Sequence, residues 1–216
     1  MKQRVHLFDF DGTLVDSMPV FSENMLRFLK EEKVDYPADI IKIITPLGYS
    51  GTAAYFREHL GVVRSVEEII DRCIFMSIPK YRDEIPLKES VSEYLHLLKQ
   101  HGESLNVLTA SPHSVLDVCL QRNGIYALFD NVWSCEDFGT TKSDPQIYLD
   151  AAERIAVSPQ EVAFYDDNIN AIRTAKQARL YTVGVWDESG REFAEPFRAL
   201  ADRYICSFSE LCAEEN

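Results

Sequence analysis

Val5-His6-Leu7-Phe8-Asp9-Phe10-Asp11-Gly12-Thr13 is the stretch whose reading decides the fold. A short apolar run ends abruptly in two acids and a glycine, the pattern of a buried strand entering a tight turn. Beyond it the period changes, and Met18, Phe21, Met25, Phe28 and Leu29 recur at helical spacing. Asp16 and Ser17 read as caps of that helix. From about 38 to 83, apolar and charged residues alternate at intervals of three and four, with breaks at Pro46-Leu47-Gly48 and Gly61. No strand pattern occurs there, so the block reads as several helices, with Phe21, Phe28, Tyr55 and Phe56 as its core.

After Pro86 the character changes again. Val91, Tyr94, Leu95 and Leu98 mark an amphipathic helix that Gly102 ends. Short apolar strands then alternate with helices: strands at 105–108, 131–133, 162–165 and 181–185, helices around 113–123, 145–156 and 169–178. That alternation predicts an α/β protein with a parallel sheet covered by helices and joined by right-handed crossovers. The helical block interrupts the pattern after the first strand and reads as an inserted cap. The acid-rich end, Glu210–Asn216, reads as a solvated tail.

The 216 residues suit one core domain with a modest insertion. Hydrophobic residues at 46% and charged residues at 26% are an ordinary globular balance. No apolar run approaches the roughly 18 residues of a membrane span, and the first residues lack the pattern of a signal peptide, so a cytoplasmic protein is expected. The five cysteines are widely spread without a C-x-x-C pair, which favours free thiols in a reducing compartment over disulfides or zinc. A formal net charge of −13 opposes nucleic acid and anionic membrane as partners. Such a chain binds a phosphate ester where a cation and backbone N–H groups reverse the local field. Oligomeric state leaves no signature in the sequence.

In open parallel sheets, ligands bind beyond the carboxyl ends of the strands. Asp9, Asp11, Gly12 and Thr13 follow the first strand, Thr109, Ala110 and Ser111 the second, and Asp166-Asp167 the strand at 162–165. Lys142 falls in a loop before a helix. Two carboxylates in one cleft resist ionisation without a counter-charge, and an oxygen-only donor set suits Mg2+ better than zinc. Asp9 is then placed to attack phosphorus, and Asp11 to protonate the leaving alkoxide and later deprotonate water. Backbone N–H groups around Gly12, with Thr109, Ala110 and Lys142, would hold the phosphoryl oxygens.

Asp9-Phe10-Asp11-Gly12-Thr13-Leu14-Val15-Asp16-Ser17 resembles the first motif of the haloacid dehalogenase superfamily of phosphatases. Val107-Leu108-Thr109-Ala110-Ser111, Lys142 with Pro145 and Tyr148, and Val162-Ala163-Phe164-Tyr165-Asp166-Asp167-Asn168 resemble its remaining motifs in order. The resemblance, to the phosphoglycolate phosphatase and beta-phosphoglucomutase-like group, spans nearly the whole chain. It implies a Rossmann-like core over 1–16 and 85–216 and a helical cap over 17–84. It also implies that Asp9 is the nucleophile, that Asp11 is the acid/base whose carbonyl also binds metal, and that Thr109 and Lys142 bind phosphate. Asp166 and Asp167 both fall near the ion, and the alignment favours Asp167 as the direct ligand. Ser143 departs from the usual proline after the lysine, Arg179 from a helix-ending glycine, and Asn170 offers no third acid.

Tyr49, Ser50 and His113 are candidate substrate contacts, the first two because a break between helices exposes its residues. His113 also fits a place in the first turn of the next helix. The expected function is a Mg2+-dependent phosphatase acting on a small phosphate ester. The alternatives are a sugar-phosphate mutase on the same core and, more remotely, a binding module without chemistry, against which Asp9, Asp11 and Lys142 all speak. Mutases of this kind carry a histidine where Phe21 stands and an arginine where Gly51 stands. A dehalogenase needs no acid at Asp11 and no metal.

Overall fold

The computed structural model describes residues 3–215. Its strands are β1 (Val5–Phe8), β2 (Ser104–Thr109), β3 (Asn131–Ser134), β4 (Val162–Asp166), β5 (Tyr181–Val185) and β6 (Arg203–Ile205). They form one sheet in the order β3-β2-β1-β4-β5-β6, and every pairing is parallel. Between β1 and β2 lie α1 (Met18–Glu31), α2 (Ile40–Ile44), α3 (Gly48–Leu60), α4 (Val66–Asp83) and α5 (Val91–Gln100). The later connections carry α6 (His113–Arg122), α7 (Gln146–Ile155), α8 (Ile169–Gln177) and α9 (Ala194–Leu200), and α10 (Ser209–Glu215) follows β6. Among the described residues no helix is long and apolar enough to cross a membrane.

β1 is central because all four of its residues are buried, as a strand covered on both faces requires. Val5 and Leu7 pack on one face with Phe164, Ile172 and Ile147. Phe8 packs on the other with Leu105, Val107 and Tyr165. Its ring stacks on Tyr165 with centroids 4.4 Å apart. Burying such a ring is worth about 3 kcal/mol. His6, also on this face, is satisfied by Glu103 at 2.6 Å and the Tyr165 hydroxyl at 2.9 Å. Pairing sets Phe8 level with Val107 of β2 and Tyr165 of β4, so the ends of three strands meet at one rim. The strand order reverses beside β1, which opens a crevice at that rim.

The block between β1 and α5 holds helices α1 to α4 joined by loops, with no strand over residues 17–84, as the spacing predicts, and has its own apolar cluster centred on Met25, Phe28, Ile44, Phe56 and Cys73. Phe21 joins it and Tyr55 packs against its edge. A reciprocal pair of Ser65 and Glu68 caps α4, each accepting the other's backbone N–H. Gly61, at φ +73°, ends α3 in the left-handed region.

Several expectations are corrected. Tyr49 and Ser50 lie in the first turn of α3 and not in a loop, because the chain re-enters helix directly after Gly48 turns it at φ +63°. Ser17 occupies the N-cap position of α1 but makes no capping bond; its hydroxyl donates to Asp11 instead. Asp16 is exposed. The acidic tail is helical as far as it is described, since Leu211 and Cys212 are buried and Glu214 pairs with Arg203 at 2.6 Å; Asn216 lies outside the described residues. β6 escapes a pattern search because it is three residues long and only Ile205 is fully buried. Of the five free cysteines, four are buried and Cys206 is exposed.

Arg179, noted above as a departure from glycine, follows α8 with φ +67° and is exposed. An L-residue with a side chain pays about 1 kcal/mol for that conformation. Arg179→Gly is therefore expected to raise the denaturation midpoint by the equivalent of about 0.5–1 kcal/mol, with an unchanged m-value. A lowered midpoint would mean that the Arg179 side chain contributes more than the backbone strain costs.

Candidate active site

Asp9 stands one residue beyond β1 and still donates its N–H to Tyr165 O at 2.8 Å, so the sheet fixes its backbone. The chain then turns sharply, with Gly12 N–H donating to Val15 O at 3.0 Å and Leu14 N–H to Phe10 O at 2.9 Å. Gly12 has φ +71°, and a Cβ there would collide with the Asp167 carboxylate. Thr13 locks the turn to the β4 loop: its hydroxyl donates to Asp167 Oδ1 at 3.2 Å and accepts Asp167 N–H at 3.1 Å. From below, Lys88 Nζ donates to Gly12 O at 2.7 Å and Trp186 O at 2.6 Å and pairs with Asp187 at 2.9 Å.

Carboxylate oxygens of Asp9, Asp166 and Asp167 lie within 4.8 Å of one another. Lys142 reaches this cluster from the loop before α7, binding Asp9 Oδ1 and, at 2.8 Å, Asp166 Oδ2. Asp166 Oδ1 accepts the Asn168 N–H at 2.7 Å. Burial pushes the Asp9 carboxyl up to about 7, although Lys142 pulls it back. Burial and then the charges of Asp166 and Asp9 hold Asp167 well above the ordinary carboxylate range. Burial works against the Lys142 ammonium, but Asp166 and Asp9 outweigh it and keep that group well above its usual value. The cluster is short of positive charge, and its all-oxygen donor set fits a hard divalent cation.

Asp11 is held apart from this group. Its carboxylate accepts from Ser17 Oγ at 2.6 Å, from Ser111 Oγ at 2.5 Å and from the Tyr81 hydroxyl. Thr109 ends β2 with its hydroxyl accepting the Ser111 N–H at 3.1 Å. Ala110 is exposed beside it.

These groups open on a cleft of about 970 Å3 between the rim and the helices α1, α3 and α4. Asp9, Asp11, Thr109, Ala110, Lys142, Asp166 and Asp167 all line it, and Tyr49 and Ser50 line it from the opposite side. The Tyr49 hydroxyl is buried without a hydrogen-bond partner among the described residues. Gly12 sits behind the cluster rather than on the cleft wall. His113 is not brought in: it starts α6, and its ring nitrogens face Asp117 at 3.0 Å and Asp137 at 2.9 Å.

Tyr81 and Lys88 are the site residues that sequence reasoning missed. Tyr81 meets Asp11 from 70 positions away and reads as one more core aromatic of α4. Lys88 sits in an unremarkable charged stretch, Leu87-Lys88-Glu89, and only the fold aims it at Gly12.

Residues 4–179 match the model of the haloacid dehalogenase-like hydrolase family, and the chain belongs to that family. It is similar to hexitol phosphatase B of Escherichia coli strain K12, with 28% identity over 97% of this chain and 94% of that one. It is similar also to phosphoglycolate phosphatase of Psychrobacter arcticus, with 26% identity over 93% and 90% of the two chains. CbbY of Rhodobacter sphaeroides, solved in complex with xylulose-(1,5)bisphosphate, shares the fold with a TM-score of 0.82 and 22% identity, covering 97% of this chain and 96% of that one.

The raised Asp9 carboxyl has a consequence for the metal-free protein. Its pKa climbs from about 3.9 in an unfolded chain to about 7 on folding. The stability linked to that shift is full below about pH 4 and is lost as the pH rises through about 7. In chelator, Asp9→Asn is therefore expected to melt above the wild type at pH 8, with the difference shrinking towards pH 4. A melting difference that ignores pH would show that Asp9 is not electrostatically frustrated.

Proposed function

We propose that this chain is a Mg2+-dependent phosphatase that hydrolyses a small phosphomonoester through an aspartyl phosphate on Asp9. The observation that carries the reading is the convergence of Asp9, Asp166, Asp167 and Lys142 at one buried point of the rim. Residues 17–84 act in it as a helical cap on a core formed by 1–16 and 85–216.

Asp9, Asp167 and Asp166 would hold the ion, together with the Asp11 carbonyl. Asp166 gives one oxygen to Lys142 and the other to Asn168, whereas Asp167 gives Oδ1 to Thr13, which favours Asp167 as the direct ligand. Bound there, the ion supplies the positive charge that lets the carboxylates ionise together and that polarises the phosphoryl oxygens. Lys142 adds a second, fixed positive charge on the Asp9 side. An Asp9 oxygen attacks phosphorus, the bond from phosphorus to the ester oxygen breaks, and Asp11 gives its proton to the departing alkoxide. Asp11 then takes a proton from water, which attacks the same phosphorus. The bond to Asp9 breaks, freeing inorganic phosphate and restoring both carboxyls. Thr109 and Ala110 at the end of β2, with Lys142, would hold the phosphoryl oxygens meanwhile, whereas the Gly12 N–H is committed to Val15 O. Tyr49 and Ser50, on the cap side of the cleft, would touch the alcohol portion. Free thiols throughout favour a reducing, cytoplasmic setting.

The hydrolase reading is preferred to the mutase for a steric and a chemical reason. Phe21 is buried in the cap core where mutases carry histidine. Gly51 lies inside α3, and a Cβ there would stand 2.8 Å from Leu47 Cβ, so no arginine fork grips a second phosphate from that position.

Asp9→Asn is expected to cut kcat by several orders of magnitude, on the order of 5 kcal/mol, while the fold is retained. Chelation should silence the wild type and Mg2+ restore it. Full turnover in chelator, or by Asp9→Asn, would overturn the mechanism. With a sugar 1-phosphate, inorganic phosphate should appear without a bisphosphate activator; faster formation of the 6-phosphate would identify a mutase. Substitution of Ser50 should alter substrate preference more than Mg2+ dependence, and equal losses across all esters would remove it from substrate recognition.

A further inference from the structure

We infer that the cleft selects phosphate esters whose alcohol portion carries no negative charge and presents an apolar flank. This rests on the phosphatase reading above and narrows its substrate class. The cleft, at about 970 Å3, holds far more than a phosphoryl group, so its outer walls meet the alcohol. Among the described residues that line it, Lys142 is the one cation, and it is committed to Asp9 and Asp166 at the phosphoryl end. Away from that end the charged lining residues are Asp71 and Glu136, both acids. Of the arginines beside lining residues, Arg72 donates to Glu31 at 2.8 Å and Arg191 to Glu188 at 3.1 Å, so both are paired with acids. Arg173 donates to the neutral amide of Asn170 at 2.7 Å, and none of the three lines the cleft itself.

A carboxylate or second phosphate on the alcohol would thus enter a partly enclosed space facing like charge. The groups on offer are of another kind. Leu47 at 41% and Phe75 at 65% exposure are large apolar side chains on the cap side of the cleft, and large apolar side chains left this open on a cleft wall mark a contact surface. Ser50 and Ser114 add neutral hydroxyls. Such a wall suits a neutral, hydroxylated or alkyl alcohol.

The minimal test pair is 2-hydroxyethyl phosphate against phosphoglycolate, which differ in a hydroxymethyl group against a carboxylate. With Mg2+ at low ionic strength, kcat/KM should favour the neutral ester by about tenfold or more, and added salt should shrink the gap. Asp71→Lys should narrow the ratio by raising the phosphoglycolate rate. Phe75→Ser should slow n-butyl phosphate more than 2-hydroxyethyl phosphate. Equal rates for the pair, a preference for the carboxylate, or a ratio unmoved by Asp71→Lys would overturn the inference and leave the phosphatase reading standing. An absence of phosphate release from all three esters and from p-nitrophenyl phosphate would overturn the phosphatase reading, and this inference with it.

Discussion

The ammonium of Lys142 sits between Asp9 and Asp166, and the rim of the sheet depends on that contact. Three carboxylates crowd within 4.8 Å of one another in a buried place, inside a chain that already carries a net charge of −13. Repulsion among them and loss of hydration act together, which is why Asp9 and Asp167 hold their protons so far above the usual range. Lys142 offsets part of this and cannot offset all of it. A site left short of positive charge has affinity for any cation that fits its oxygens, and the same deficit makes a phosphoryl group acceptable once that cation is in place. In the proposed function, electrostatic frustration in the resting protein and affinity for the reactants have one origin.

What keeps the acids together is backbone, and the backbone is set by the strand order. β1 pairs with β2 on one side and β4 on the other, so residues at 9, 109 and 166 arrive at one edge without any long-range search. Thr13 and Asp167 then bind each other twice, and Gly12 leaves the room that Asp167 occupies. Lys88 fastens the turn to the loop after β5 through Trp186 and Asp187. The loops that carry the site are thereby tied to one another and to the sheet by side-chain and backbone hydrogen bonds, a condition for preorganised catalysis.

The sequence made most of this legible, for a physical reason in each case. Strands buried on both faces are continuous apolar runs, so β1 and β5 are found with their observed limits and β2 and β4 within a residue. β3, an edge strand of four residues in which Ser134 alone is fully buried, is found within a residue through Val132 and Trp133. Acids placed directly after such runs have few structural uses, so Asp9, Asp11, Asp166 and Asp167 stand out. β6 stays hidden because an edge strand of three residues with one buried side chain has no period to read. α10 stays hidden because Leu211 and Cys212 are embedded in acids. Tyr49 and Ser50 are assigned to a loop because Gly48 breaks the chain, whereas the break itself starts the next helix. Tyr81 and Lys88 act on the site from far along the chain, and contact at that range leaves no local mark.

The environments of Asp9 and Asp11 explain how two like carboxyls, two residues apart, divide the proposed chemistry. Lys142 has donors and no acceptor, so its contact with Asp9 is satisfied by the carboxylate and not by the acid. It favours the form that attacks phosphorus. Asp11 is met by hydroxyls of Ser17, Tyr81 and Ser111, and a hydroxyl both donates and accepts. When Asp11 is ionised, all three donate to it. When Asp11 is protonated, one of them rotates to accept, and the carboxyl keeps its place. The proposed acid/base role of Asp11 needs such partners, which can meet either form of the carboxyl without rebuilding the site. In the proposed mechanism the nucleophile Asp9 is tied to a fixed charge and the proton carrier Asp11 to adaptable dipoles, and that difference in partners supports the division of roles.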